Sequence, residues 1–110
     1  MSRGDFSHFE LLVLTAVVRL GDRAYGVNIA REIEDRSERA VVLGSVYAAL
    51  ERLEDKGFVA SKLAEPTPER GGRAKKYFRV TAAGLRHVRE AQRVLTALWH
   101  RVPQLKGGVA

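Results

Sequence analysis

From Phe9 to Leu20 the chain is almost continuously apolar, with Leu11, Leu12, Val13, Leu14, Ala16, Val17, Val18 and Leu20 in succession. A helix that is apolar on more than one face has to be covered on more than one side. Ser7-His8-Phe9-Glu10 fits a capping box. In that box Ser7 accepts from the Glu10 amide and the Glu10 carboxylate returns to the Ser7 amide. Gly21 ends the helix. Tyr25, Ile29 and Ile33 then recur every fourth position. This stripe, flanked by Val27 and Ala30, predicts a second helix from about Tyr25 to Arg36, with Arg31, Glu32, Glu34, Asp35 and Arg36 facing water. Ser37 to Leu43 connects, and Val41-Val42-Leu43 reads as a short strand or a buried turn. A third helix is expected from about Gly44 to Lys56, before Gly57, with Val46, Leu50 and Leu53 inward and Tyr47 on the shoulder.

The second half changes pattern. Phe58 to Leu63 has little polarity and reads as a strand. Glu65 to Ala74 holds two Pro and two Gly and reads as a loop. Lys75 to Val80 alternates and reads as the returning strand. Thr81 then caps a long helix reaching about Arg101, before Pro103. Along it Leu85, Val88, Gln92, Leu95, Trp99 and Val102 follow the 3-4 spacing of a helix-pairing seam. Ala91, Val94 and Leu98 widen that seam, and a lone Gln on it fixes register. The surplus apolar face of the first helix, at Leu11 and Leu14, is the natural second half of a subunit contact. The expected fold is mainly α (α+β). It is a winged helix-turn-helix of three helices and a two-stranded wing over residues 1–80, a dimerisation helix over 81–103 and a frayed tail over 104–110.

Composition narrows the function. The length of 110 residues suits one domain. The absence of cysteine removes disulfides, thiolate metal sites and a cysteine nucleophile. No apolar run approaches a membrane span and the N-terminus lacks a signal layout, so a soluble, cytoplasmic protein is expected. His8, His87 and His100 have no metal-ligand spacing and read as surface or helix-end residues. No Ser/His/Asp order, phosphate loop or carboxylate pair stands out, so neither an enzyme nor a cofactor is expected. The net charge of +6 is uneven: residues 1–64 are close to neutral and the whole excess lies in residues 65–110. Such asymmetry suits one surface that meets a polyanion.

Double-stranded DNA fits this order of elements. A helix enters the major groove by its N-terminal end. The third helix opens Gly44-Ser45-Val46-Tyr47-Ala48, small enough outside for close approach. Ser45 and Tyr47 offer hydroxyls, and Arg52, further along, is placed to meet the phosphate backbone. The ribbon tip, Arg70-Gly71-Gly72-Arg73-Ala74-Lys75-Lys76, sets four cations around two glycines, which let a turn flatten against a groove. Two other classes remain: a winged-helix protein-interaction module whose basic ribbon meets an acidic partner, and an RNA-binding module, for which no aromatic platform is evident.

The run GSVYAALERLEDKGFV from Gly44, then GGRAKKYFRVTAAG from Gly71, with Tyr25-Gly26 ahead of them, resembles the PadR family of bacterial transcriptional regulators. The resemblance covers roughly residues 8 to 100. It implies a dimeric winged-helix repressor binding an inverted repeat, with Tyr25 among its DNA-side residues. It also implies that the C-terminal helix pairs together with the N-terminal one. Ala48 stands where many relatives have proline. Val42 stands where many have a serine-type cap, so either the helix starts elsewhere or Ser45 supplies the cap. Some relatives hold a planar aromatic compound at the dimer centre. Here Trp99 either fills the dimer core or stacks on such a ligand, with Leu95 one turn earlier at the stacking position of the multidrug-binding relatives.

Overall fold

The computed structural model describes residues 7–64 and 75–106. Helix α1 spans His8–Leu20. Its first half of the capping box is present, with the Glu10 amide donating to Ser7 Oγ at 3.1 Å. The return half is not. The Glu10 carboxylate turns away from the cap toward another helix, because two cations there outbid a single amide. Gly21 closes α1 at a φ of +60°, a conformation that glycine adopts without strain.

A turn over Gly21–Arg23 leads into helix α2, Gly26–Ser37. Ile29, Ala30 and Ile33 are buried as the stripe requires, while Tyr25 is the half-buried N-cap and Val27 lies exposed. The connector to the next helix is neither strand nor buried turn. Only Val41 reaches the core edge, its amide held by Glu34 Oε2 at 2.9 Å, and Val42 is 71% exposed. Helix α3 is Leu43–Asp55 and starts one residue before the expected glycine. Val42 is its N-cap and provides no side-chain acceptor, while Ser45 lies inside the first turn and caps nothing.

Strands β1, Val59–Leu63, and β2, Lys76–Val80, pair antiparallel with Val59 opposite Val80 and Leu63 opposite Lys76. The chain ahead of α2 adds a rung to the far edge of β2: the Phe78 amide donates to Ala24 O at 2.8 Å and Tyr25 bridges Tyr77. Helix α4, Ala82–Trp99, follows at once. Thr81 caps it, accepting from the Gly84 amide at 3.0 Å and donating to Gly57 O at 2.6 Å. Gly84 is buried against the turn after α3, where a Cβ would run into the Phe58 carbonyl.

One core joins these parts: Val13, Leu14 and Val17 of α1, Ile29 of α2, Val46, Leu50 and Leu53 of α3, and Val59 and Phe78 of the wing. Leu14, expected at a subunit contact, is 0% exposed and belongs to this core. Helices α2, α3 and α4 and strand β2 all contact α1, which covers Leu14. Val102, expected on the seam, lies beyond the helix. His100 ends α4, Arg101 takes a φ of +61°, and the Val102 amide bonds to Trp99 O before a turn at Pro103–Leu105. The molecule measures 53 × 30 × 21 Å, with a radius of gyration of 15.5 Å. A compact chain of this length would have about 13 Å. Gly84, near its start, is the one fully buried residue of α4, so the rest of that helix gains little cover from its own chain.

Candidate nucleic-acid interface

The start of α3 stands proud of the body. Leu43, Gly44, Ser45, Tyr47 and Ala48 are all exposed, whereas Val46 and Ala49 turn to the core. The amides of Ser45 and Val46 donate to Val42 O, and the absence of a side-chain cap leaves those of Leu43 and Gly44 without a side-chain acceptor. Together with the positive end of the helix dipole, these favour a phosphate or base acceptor. Tyr47 is 45% exposed, and its ring covers Gly26 so closely that a Cβ there would overlap it. That contact explains the Tyr25-Gly26 pair: a side chain at position 26 would push the Tyr47 ring of α3 out of place. Tyr47 is therefore a support between α2 and α3, with its ring and hydroxyl against Gly26.

Beside this face lies the base of the wing. Lys75 Nζ sits 4.0 Å above the Tyr25 ring, and Tyr25 meets Tyr77 edge-on with 5.4 Å between centroids. Lys76 is exposed at the start of β2, 5.8 Å from the Phe78 ring. Tyr25 thus orients the wing rather than reaching outward alone. The tip cations Arg70 and Arg73, with Gly71 and Gly72, lie outside the described residues.

Arg52 is placed differently from the sequence expectation. Its Nε donates to Glu10 Oε2 at 2.5 Å, and Lys56 Nζ donates to Glu10 Oε1 at 2.9 Å. Glu10 is 5% exposed, the one buried charged residue among those described. Burial pushes its carboxyl up, and the hydrogen bonds and charges of Lys56 and Arg52 outweigh that, leaving it below the ordinary carboxylate range. Sequence reasoning assigned Glu10 to the cap and missed this role. The available signal was Arg52 and Lys56 one helical turn apart on a helix bound to pack near Glu10.

On α4, Leu85 and Val88 are half-buried, with Val88 against the core. Gln92, Val94, Leu95 and Leu98 are exposed, Leu98 at 71%. Leu11 of α1 is half-buried. Trp99 is half-buried, and its indole N–H donates to Leu105 O at 2.7 Å, beside an open cavity of about 510 Å³ lined also by Thr96, His100 and Lys106. His8 and His100 are exposed at helix ends, but His87 stacks on Phe58 with centroids 4.4 Å apart. No metal-binding cluster occurs among the described residues.

Three helices, the third with an exposed first turn, followed by an antiparallel two-stranded wing, define a winged helix-turn-helix protein. The chain belongs to the PadR-like family of transcriptional regulators, which it matches over residues 13–90. Among solved structures it is similar to a PadR family transcription regulator from Clostridium difficile R20291. The TM-score is 0.73 at 24% identity, over 92% of this chain and 100% of that one. It is also similar to a PadR family transcriptional regulator from Eggerthella lenta DSM 2243, with a TM-score of 0.70 at 27% identity, over 90% of this chain and 81% of that one. No curated protein matches the sequence. The proteins of this family are regulators of transcription and not enzymes. No described helix is long and apolar enough to cross a membrane.

Proposed function

We propose that this regulator is a cytoplasmic homodimeric repressor that reads an inverted-repeat site in double-stranded DNA through the start of α3 and grips the flanking phosphates with its wing. The observation that carries this reading is the exposed first turn of α3, small at Gly44, Ser45 and Ala48, beside the basic wing base at Lys75 and Lys76. Small side chains let the backbone approach base edges, and Ser45 and Tyr47 add hydroxyl donors. The dimer is supported by the exposed apolar run Val94, Leu95 and Leu98 on α4. The half-buried Leu85, Val88 and Trp99 lie on the same helix, and Leu11 on α1 adds to this surface. Two copies paired through these helices present two reading helices related by a two-fold axis, which is what an inverted repeat requires. Release by a planar aromatic compound stacked near Trp99 and Leu95 completes the proposal.

Selection from a random duplex pool tests it. Enrichment of a two-fold symmetric site, with half-sites about one helical turn or a multiple apart, is the expected result. Selection of no duplex, with capture of an acidic protein by the same surface, would establish the protein-interaction alternative instead. For the ligand, quenching of Trp99 fluorescence by a planar aromatic compound, together with loss of DNA binding, is expected.

A further inference from the structure

Helix α3 and its C-cap Lys56 carry two cations that DNA would attract, and a carboxylate from another helix holds both. Arg52 and Lys56 lie one turn apart on the side of α3 that meets α1, and each takes one oxygen of the Glu10 carboxylate. Burying a carboxylate costs several kcal/mol after relaxation, and an apolar residue at position 10 would have packed the α1–α3 contact without that cost. The remaining charged groups of α3 add no cation: Glu51, Glu54 and Asp55 are acidic, and Glu54 accepts from Ser61 Oγ at 2.6 Å. Ser45, Ala48 and Arg52 share one helical face by their spacing of three and four. Arg52 is half exposed. Without its partner it would lie about 10 Å along the helix from Ser45, within reach of a phosphate flanking the groove.

We infer that Glu10 is a specificity-determining residue, an internal counter-charge that withdraws Arg52 and Lys56 from phosphate binding and so keeps the affinity for random DNA low. This inference rests on the DNA-binding reading above. In it the wing supplies the phosphate charge, and α3, its cationic heads held against Glu10, gains affinity where base edges match it. Each cation neutralising a phosphate adds about 0.9 to the slope of log affinity against log salt. A cation whose head stays on the Glu10 carboxylate makes no phosphate contact and adds nothing.

The test is a salt series with the full chain and a random-sequence duplex, read by fluorescence anisotropy. Glu10→Gln keeps the shape and one acceptor oxygen but removes the negative charge that holds both cations. It is expected to tighten random-duplex binding at low salt and to steepen the slope by about 0.9 for each cation that reaches a phosphate. A carboxylate that only supports the fold would leave the slope as it is, so an unchanged slope in folded Glu10→Gln overturns the inference. Arg52→Gln leaves Glu10 paired with Lys56 and serves even if Glu10→Gln does not fold. An unchanged slope is expected for it, and a fall of about 0.9 means that Arg52 already holds a phosphate, which overturns the inference. The two readings separate cleanly. A wild-type protein that binds no duplex under any salt removes the proposed function, whereas wild-type binding with either contrary slope removes only the role of Glu10.

Discussion

Gly26 and Glu10 show how single residues set what α3 presents. The Tyr47 ring occupies the space a Cβ would need at Gly26. Gly26→Ala is therefore expected to displace Tyr47 and to cost about 1–3 kcal/mol in stability, measured by urea denaturation. Combined with Tyr47→Ala, the same substitution should cost much less, because the overlapping ring is gone. Glu10 has a pH consequence. Its carboxyl is held below the ordinary value in the folded chain, so its contribution is fully present above the unfolded-state pKa and is lost as pH falls through the folded one. The stability difference between wild type and Glu10→Gln should therefore be constant near neutrality. It should shrink below about pH 4, as followed by thermal unfolding across a pH series. Glu10 also marks a limit of sequence reading. The capping-box spacing was visible and its Ser7 half forms, but the carboxylate's choice between an amide and two cations depends on where α3 packs.

Joints between elements carry as much information as the elements. Thr81 ends the wing and begins α4, and its hydroxyl both accepts from Gly84 and donates to Gly57. Thr81→Ala removes both bonds and is expected to destabilise the protein by about 1–2 kcal/mol, again read in denaturant. The wing base is a second joint, built from the Tyr25–Tyr77 contact and Lys75 over Tyr25. The helices, both strands and the Thr81 cap were legible from periodicity and turn residues. The exposure of Val42 was not, because an apolar triplet in a connector has the same pattern whether it faces a core or a groove. The end of α4 was likewise misplaced by the seam spacing, which runs on to Val102 although the helix ends at Trp99.

At the scale of the molecule, an elongated shape and an α4 with almost no buried residue leave apolar surface uncovered within one chain. Leu98→Glu puts a charge at a position 71% exposed in the single chain. It should leave helicity unchanged while shifting the molecule to a monomer in sedimentation equilibrium, with loss of binding to a symmetric site. Leu14→Ala is the contrasting case. It should unfold the protein more readily, by about 2–5 kcal/mol, with no selective effect on association, since Leu14 is in the core.

The order of three helices, a two-stranded ribbon and a long C-terminal helix was determined by the sequence alone, because hydrophobic period, glycine, proline and capping residues act over a few positions. The family was legible for the same reason, since its motifs are local runs. Tertiary structure alone decided which apolar residues of α1 are core, which of α4 remain outside, and which charges on α3 are free. Those outcomes depend on which surfaces meet. An apolar side chain looks the same in sequence whether a neighbouring helix or a second copy covers it, and a cation does not announce the carboxylate that will neutralise it.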